Sequence, residues 1–208
     1  MILIGQYDSP FVRRVGIALT HYGMAYEHRP WSVFGDADSI RAYNPLVRVP
    51  TLVLADGAVV IETHAILDWL DSLVPPDRVL LPAAQPARRQ ALKAITLATG
   101  IADKAVSLFY EKRLHEQVSD VWVERCRGQI LGAITALEQD RAARTGDFWF
   151  GGRIGHADIA VAATLRFLGE AHPDLAPLAG YPALAADAAR LEAMPVFQQI
   201  SQPFIPPA

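Results

Sequence analysis

The chain has 208 residues, of which 51% are hydrophobic and 20% are charged, and its formal net charge is −3. This composition suits a soluble globular protein of one or two domains, and the scattered basic residues give no electrostatic case for nucleic-acid binding. The single cysteine, Cys126, excludes an intrachain disulfide, and the histidines lack metal-ligand spacing, so we expect no metal site. No apolar run reaches the roughly 20 residues of a membrane span and no signal-peptide pattern begins the chain, which predicts a cytoplasmic protein without a membrane partner.

The first part of the chain alternates between strand and helix patterns. Pro10 is typical of a first helical residue, Gly23 of a helix stop, and Asp56-Gly57 between β-branched apolar runs of a hairpin. The predicted elements are strands over residues 1–6 and 26–31, a helix from Pro10 to about Gly23, a short helix over 38–43, the hairpin, and a helix that opens at Glu62-Thr63 and ends before Pro75-Pro76.

After a proline-rich stretch over residues 82–86 the chain becomes rich in Ala and Leu and loses its hairpin signals. Apolar periodicity there predicts only helices, so the fold class is an α/β part followed by an all-α part. The expected helices run over about residues 87–116, 119–144, 156–170, 182–192 and 195–200.

Ser9 is the first candidate site residue, because it stands at the turn between the first strand and the first helix. An N-terminal helix turn offers free backbone N–H groups and the positive end of the helix dipole, and Ser9 adds a hydroxyl. Such a corner can hold an anion. The alternative, that Ser9 only caps the helix, stays open from this stretch alone.

Val49-Pro50 and Glu62-Thr63 are the other candidates. If the Val49-Pro50 bond is cis, the backbone N–H and C=O of Val49 point outward and can pair with an extended peptide. Helix-start N–H groups and the Thr63 hydroxyl suit a ligand carboxylate, and Glu62 suits a ligand amine. An acid in the first turn beside a capping threonine is the alternative.

These motifs occur in a characteristic order: Ser9-Pro10-Phe11-Val12-Arg13-Arg14-Val15, Asn44-Pro45, Arg48-Val49-Pro50, Glu62-Thr63 and Gly155-His156-Ala157-Asp158-Ile159-Ala160. The ordered set, over essentially the whole chain, resembles the cytosolic glutathione transferases. The Ser-Pro-Phe-x-x-Arg run is most similar to serine-type members, including plant tau-like and bacterial ones. The resemblance implies a thioredoxin-like domain over residues 1–78, a linker over 79–85 and an all-helical domain over 86–208.

The resemblance implies that glutathione is a co-substrate and that no cofactor is needed. Val49, across a cis bond to Pro50, would pair its backbone with the cysteinyl part of glutathione. Glu62 and Thr63 would hold the γ-glutamyl amine and carboxylate, and Arg48 would meet the glycyl carboxylate.

For catalysis the resemblance implies that the Ser9 hydroxyl donates to the glutathione sulfur and stabilises its thiolate. Tyr7 is a rival, because other members of the family use a tyrosine near the end of the first strand. Members with a cysteine at this turn perform thiol exchange, but Cys126 lies in a predicted helix of the second half. We therefore expect conjugation of glutathione to small hydrophobic electrophiles, and the alternative is a non-catalytic protein that binds glutathione or a hydrophobic ligand.

The chain departs from the family pattern at two positions. Thr63 stands where serine is usual, which keeps the hydroxyl. Gly155 stands where Ser or Thr is usual, three residues before Asp158, so we expect a helix-capping box that is half missing.

The electrophile would bind between the two halves, and the family commonly forms homodimers, which we expect here. The candidate pocket residues are aromatic or basic side chains for which simple helix packing is the alternative, namely Phe11, Phe109, Tyr110, Arg113 and Trp122.

Overall fold

The computed structural model describes residues 1–206, which divide into two compact units. The first unit comprises Met1–Leu80 together with the chain from Met194 onward, and the second comprises Leu81–Ala193. The first unit contains the strands β1 (Ile2–Ile4), β2 (Glu27–Arg29), β3 (Thr51–Val53) and β4 (Val59–Ile61) and the helices α1 (Pro10–Tyr22), α2 (Ala37–Arg41), α3 (Thr63–Ser72) and α8 (Pro195–Gln199).

The strands form a mixed sheet in the order β2-β1-β3-β4. β1 runs parallel to β2 and antiparallel to β3, and β3 pairs with β4 through the predicted hairpin, in which Gly57 has a φ of 88°. One sheet face carries Ile4 and Val53, which pack with Ile40 of α2. The predicted thioredoxin-like arrangement of a small mixed sheet with flanking helices is confirmed.

Helix α1 begins and ends where the local signals predicted. Ser9 is its N-cap in extended conformation and accepts a hydrogen bond from the Val12 N–H at 3.4 Å, and Pro10 follows at the first helical position. Gly23 ends the helix at a φ of 70°, which a residue with a side chain rarely adopts. α3 ends at Ser72, before the predicted stop at Pro75-Pro76, and Leu73, the residue that follows it, is 52% exposed.

Two arginines in α1 are buried. Arg13 and Arg14 are each only 2% exposed, and burial lowers the pKa of Arg14 to about 10. The Arg13 guanidinium donates to the carbonyl oxygens of Ile200 at 2.8 Å and Phe197 at 3.0 Å, and it lies over the Phe197 ring. This clamp helps to explain why residues 194–206 pack with the first unit, although the sequence prediction assigned residues 86–208 to one helical domain.

The second unit is helical, as expected. Its helices are α4 (Ala87–Leu114), α5 (Asp120–Ala142), α6 (His156–Ala171) and α7 (Pro182–Glu192), with a short 3-10 turn at Leu178–Gly180. The apolar period of α4 places small residues at its buried positions, so that α5 and α6 can pack closely against it. Thr164 of α6 donates its hydroxyl to the Ala98 carbonyl of α4 at 3.2 Å, which ties the two helices at their centre.

The start of α6 is organised by Asp158, which is 1% exposed. Its carboxylate accepts hydrogen bonds from the Gly155 N–H at 2.8 Å and the Trp149 N–H at 3.0 Å. Gly155 has no side chain to return a bond, so only the acid's half of the capping box forms, as the sequence predicted. None of the helices within residues 1–206 is long and apolar enough to cross a membrane.

Candidate functional site

The Ser9 hydroxyl lies at the N-terminus of α1 and is only partly buried. A serine oxygen can accept hydrogen bonds and also donate one. Its acceptor side meets the Val12 N–H at 3.4 Å, a long and weak capping bond. Within residues 1–206 no hydrogen bond uses its O–H, so the same side chain that caps the helix keeps a donor for a ligand.

Tyr7 is held in a different set of contacts. Its hydroxyl lies 2.7 Å from the Tyr26 hydroxyl, and its ring stacks on His28 with a centroid distance of 3.8 Å. Burial, with the Tyr26 hydrogen bond adding to it, raises the pKa of Tyr7 well above its ordinary value. The ring edge also lies against Gly16, where a Cβ would be 2.8 Å from the Tyr7 Cε1 atom. These contacts tie Tyr7 to the neighbouring strand and helix.

The loop before β3 is shaped by Asn44 of the Asn44-Pro45 motif, a residue that was not among the predicted site residues. Asn44 is 1% exposed, and its amide donates to the Arg48 carbonyl at 2.9 Å and to the Thr51 hydroxyl at 3.1 Å. These hydrogen bonds fix the loop that contains Val49 and its cis peptide bond to Pro50. No hydrogen bond within the described residues occupies the Val49 N–H or C=O, so both groups can meet an extended peptide.

The start of α3 carries a strained backbone. Glu62 is its N-cap with a φ of 69° and a ψ of 136°, a region that residues with side chains rarely adopt and that costs about 1–3 kcal/mol. Strain of this size persists at ligand-binding positions that the surrounding fold fixes. The Glu62 carboxylate lies 3.3 Å from the Arg48 guanidinium, and both side chains are about half exposed. The acid and the base proposed from the sequence are therefore neighbours.

Two contacts bring the predicted site residues together within the first unit. A Cβ on Gly5, whose φ is 126°, would lie 2.5 Å from Val12 Cγ2 and 2.7 Å from Val49 Cβ, so the first turn of α1 meets Val49 across a glycine. The Thr63 hydroxyl donates to the Phe11 carbonyl at 3.4 Å, which joins the starts of α3 and α1. Ser9, Val49 and Glu62 thus occupy adjoining corners, each beside backbone N–H groups free to bind an anion or peptide.

Two of the predicted electrophile-pocket residues line a common cavity. Phe109 and Arg113 line one cavity of about 390 Å³ in the second unit, and Tyr110 and Trp122 do not line it. Tyr110 packs its ring edge-on to Phe109, and Trp122 lies under the Lys104 ammonium group. Phe11 belongs to the first unit, where its carbonyl accepts from Thr63. Within residues 1–206 no group of three or more His, Cys, Asp or Glu side chains is placed to hold a metal.

Family models match both units. The model of the glutathione S-transferase N-terminal domain matches residues 3–78, and that of the C-terminal domain matches residues 120–186, which together are more than half of the chain. The chain belongs to the glutathione S-transferase family.

Relatives of this glutathione S-transferase family member include solved and curated proteins. A glutathione S-transferase from Methylobacterium radiotolerans JCM 2831, solved in complex with glutathione sulfonate, is 31% identical, with a TM-score of 0.90 over 100% of this chain and 98% of that one. A probable glutathione S-transferase GSTU1 of Oryza sativa subsp. japonica is 28% identical over 77% of this chain and 71% of the relative. Maleylacetoacetate isomerase of Mus musculus is 27% identical over 97% of this chain and 92% of the relative.

Proposed function

We propose that this protein is a serine-type glutathione transferase that conjugates the glutathione thiolate to small hydrophobic electrophiles. The observation that carries the proposal is the Ser9 hydroxyl at the N-terminus of α1, with its donor available and the strained start of α3 beside it in the same unit. The relative from Methylobacterium radiotolerans, solved with glutathione sulfonate, supports glutathione as the co-substrate.

The chemistry required of Ser9 is activation of a thiol. A free thiol has a pKa of about 8.5, so only a few per cent is thiolate at neutral pH. Lowering that pKa by about two units corresponds to about 2.7 kcal/mol of preference for the anion. A hydroxyl donor aimed at the sulfur, combined with the positive end of α1, supplies stabilisation of that order. The thiolate sulfur then forms a bond to an electrophilic carbon, and the leaving group on that carbon departs with the electrons of the bond that breaks.

The remaining residues would hold the tripeptide so that its sulfur meets Ser9. The Val49 N–H and C=O would pair with the cysteinyl backbone, and Glu62 and Thr63 would bind the γ-glutamyl amine and carboxylate. Arg48 would meet the glycyl carboxylate after leaving its ion pair with Glu62. Because that pair is half exposed, opening it costs only about 0–1 kcal/mol. Binding energy from the two ends of glutathione then positions the sulfur.

The test compares the wild type with Ser9→Ala and Tyr7→Phe, using glutathione and a chromogenic aryl halide, with the thiolate absorbance of bound glutathione as a second readout. We expect Ser9→Ala, which removes the hydroxyl and leaves the helix end in place, to lower kcat by about tenfold or more and to raise the pKa of the bound thiol; the upper limit is about 100-fold, the rate equivalent of the whole 2.7 kcal/mol. Tyr7→Phe removes a hydroxyl engaged by Tyr26, so we expect it to change kcat less than about threefold.

If Ser9→Ala kept full activity and Tyr7→Phe lost it, activation of the glutathione thiol would be assigned to Tyr7 instead of Ser9. Retention on a glutathione column without turnover of any electrophile would favour a non-catalytic binding protein. We further propose that the protein acts in the cytoplasm as a homodimer, and light scattering on the purified protein tests the dimer.

A further inference from the structure

Val47, in the loop before β3, has a backbone conformation that glycine usually supplies. Its φ is 50°, and within residues 1–206 the non-glycine residues with a positive φ are Val47 and Glu62. For a β-branched residue this left-handed conformation is a genuine outlier, because the Cβ lies too close to the following carbonyl oxygen. A residue keeps such a conformation only where the surrounding structure fixes it.

Hydrogen bonds to Asn44 fix the turn that ends at Val47. The Val47 N–H donates to the Asn44 carbonyl at 2.9 Å, and the Leu46 N–H donates to the Asn44 side-chain oxygen at 3.0 Å. The Asn44 amide donates in turn to the carbonyl of Arg48, the residue after Val47, at 2.9 Å. Because these bonds use only the backbone of residue 47, glycine would form them equally well and without strain.

The Val47 side chain anchors the loop on the core of the first unit. It is partly buried and packs against three buried side chains, namely Ile4, Ile40 and Val53. The residues on either side of it are exposed, Leu46 to 58% and the Arg48 side chain to 56%. In this stretch the valine side chain therefore supplies what glycine would lack, a fixed apolar contact between the loop and the core.

The conformation of Val47 sets the positions of the two residues that follow it, because a rotation about its φ turns the chain beyond it. Arg48 comes next, and its guanidinium lies 3.3 Å from the Glu62 carboxylate. Val49 follows, and a Cβ on Gly5 would lie 2.7 Å from the Val49 Cβ atom. Both residues with a positive φ therefore border the proposed glutathione site, one adjacent to Arg48 and the other paired with it.

We propose that Val47 is a positioning residue for glutathione. Its anchored side chain holds the loop in the strained conformation that presents the Arg48 guanidinium and the Val49 peptide groups to the tripeptide. The proposal rests on the proposed function, because it concerns the same glutathione site. The strain is present before the ligand arrives, so glutathione does not have to order the loop, and this preorganisation raises its affinity.

The test replaces Val47 with glycine, which adopts positive and negative φ about equally and removes the apolar anchor. Calorimetric titration with glutathione measures the Kd, and the aryl-halide assay at saturating glutathione measures kcat. We expect Val47→Gly to raise the Kd about threefold to tenfold, because only a fraction of the free protein then presents the loop correctly. We expect kcat to stay within about twofold of the wild type, because Ser9 lies on a different turn.

Leu46→Gly is the matched control, because it adds the same glycine one position earlier, where the side chain is exposed. It should change the Kd by less than about twofold, and Val47→Ile, which keeps a branched apolar anchor, should do the same. Hydrogen exchange gives a readout without glutathione. A peptide that covers residues 45–53 should exchange faster in free Val47→Gly than in free Leu46→Gly.

Three outcomes overturn the proposal: wild-type affinity in a folded Val47→Gly protein, an equal loss of affinity in Leu46→Gly, or a loss of kcat without a loss of affinity. If Val47→Gly does not fold by circular dichroism, Val47→Asn replaces it, because asparagine tolerates a positive φ and lacks the apolar anchor.

The same measurements separate this inference from the proposed function. If the wild type binds no glutathione, the proposed function fails and this inference fails with it. If the wild type binds and conjugates glutathione and Val47→Gly binds it equally well, this inference alone fails.

Discussion

The carboxyl group of Asp158 should make the stability of the protein depend on pH in an unusual direction. Burial raises the pKa of Asp158 from 3.8 to about 6, with the nearby Asp187 acting the same way, while the N–H bonds from Trp149 and Gly155 oppose the rise. The native state therefore binds this proton more tightly than the unfolded chain does. Its contribution to the unfolding free energy is fully present below a pH of about 4 and is lost as the pH rises through about 6. At roughly 1.36 kcal/mol per pKa unit, the loss is about 3 kcal/mol.

The perturbation that isolates this contribution is Asp158→Asn, because an amide does not titrate. The Asn oxygen can accept one of the two backbone N–H bonds, but its NH₂ group cannot accept the other. We expect this lost bond to make the variant about 1–2 kcal/mol less stable than the wild type near pH 4. As the pH rises to 7.5 the wild type must bury a charge and the variant need not, so the difference should shrink and then reverse.

Urea unfolding of both proteins at several pH values between 4 and 7.5 measures the difference directly. Asp68→Asn, at an exposed position of α3, controls for the exchange of Asp for Asn. A difference that stays constant with pH would refute the raised pKa. A variant that becomes relatively less stable as the pH rises would mean that the two N–H bonds outweigh burial.

Two further changes test the capping box and the buried clamp by the same urea assay. Gly155 is extended, with a φ of −137° and a ψ of 176°, so Gly155→Ser adds the missing side-chain oxygen without backbone strain and should stabilise the protein by about 0.5–1 kcal/mol. Gly155→Ala lacks the oxygen and should not stabilise the protein. Equal gains in stability for the two variants would contradict the capping explanation. Arg13→Met leaves the Phe197 and Ile200 carbonyls without a donor they now have and should destabilise by about 3 kcal/mol or more. Arg41→Met, at an exposed position of α2, should change stability by less than about 0.5 kcal/mol. A similarly small effect at Arg13 would refute the clamp.

The elements that sequence predicts well are those whose signals are local. Pro10 and Gly23 define α1 because each acts on its own backbone, and Asp56-Gly57 does the same for the hairpin. The helices of the second unit lie within about two residues of their predicted ends because their apolar period is long and regular. The end of α3 was less well predicted, because the helix stops at Ser72, before the prolines that we took as its stop signal.

The sequence does not predict contacts between residues that are far apart in the chain. Arg13 looks like a surface residue until Phe197 and Ile200 are brought to it across more than 180 positions. From the sequence alone, Tyr7 is a candidate acid, but in the structure its hydroxyl is hydrogen-bonded to the hydroxyl of Tyr26. The positive φ at Glu62 could not be predicted for a different reason. A residue with a side chain rarely adopts this conformation, so its presence in the sequence carries no signal for it.

The proposed glutathione site is built mainly from backbone groups, and this governs how far it can be inferred from a relative. Its binding groups are the helix starts of α1 and α3 and the peptide groups of Val49, which the backbone conformation supplies whatever the neighbouring side chains are. A relative with a TM-score of 0.90 and 31% identity therefore matches the positions of such groups far better than it matches side chains. The expected electrophile pocket depends on side chains such as those of Phe109 and Arg113, which single substitutions remove without altering a helix. The electrophile must therefore be determined on this protein.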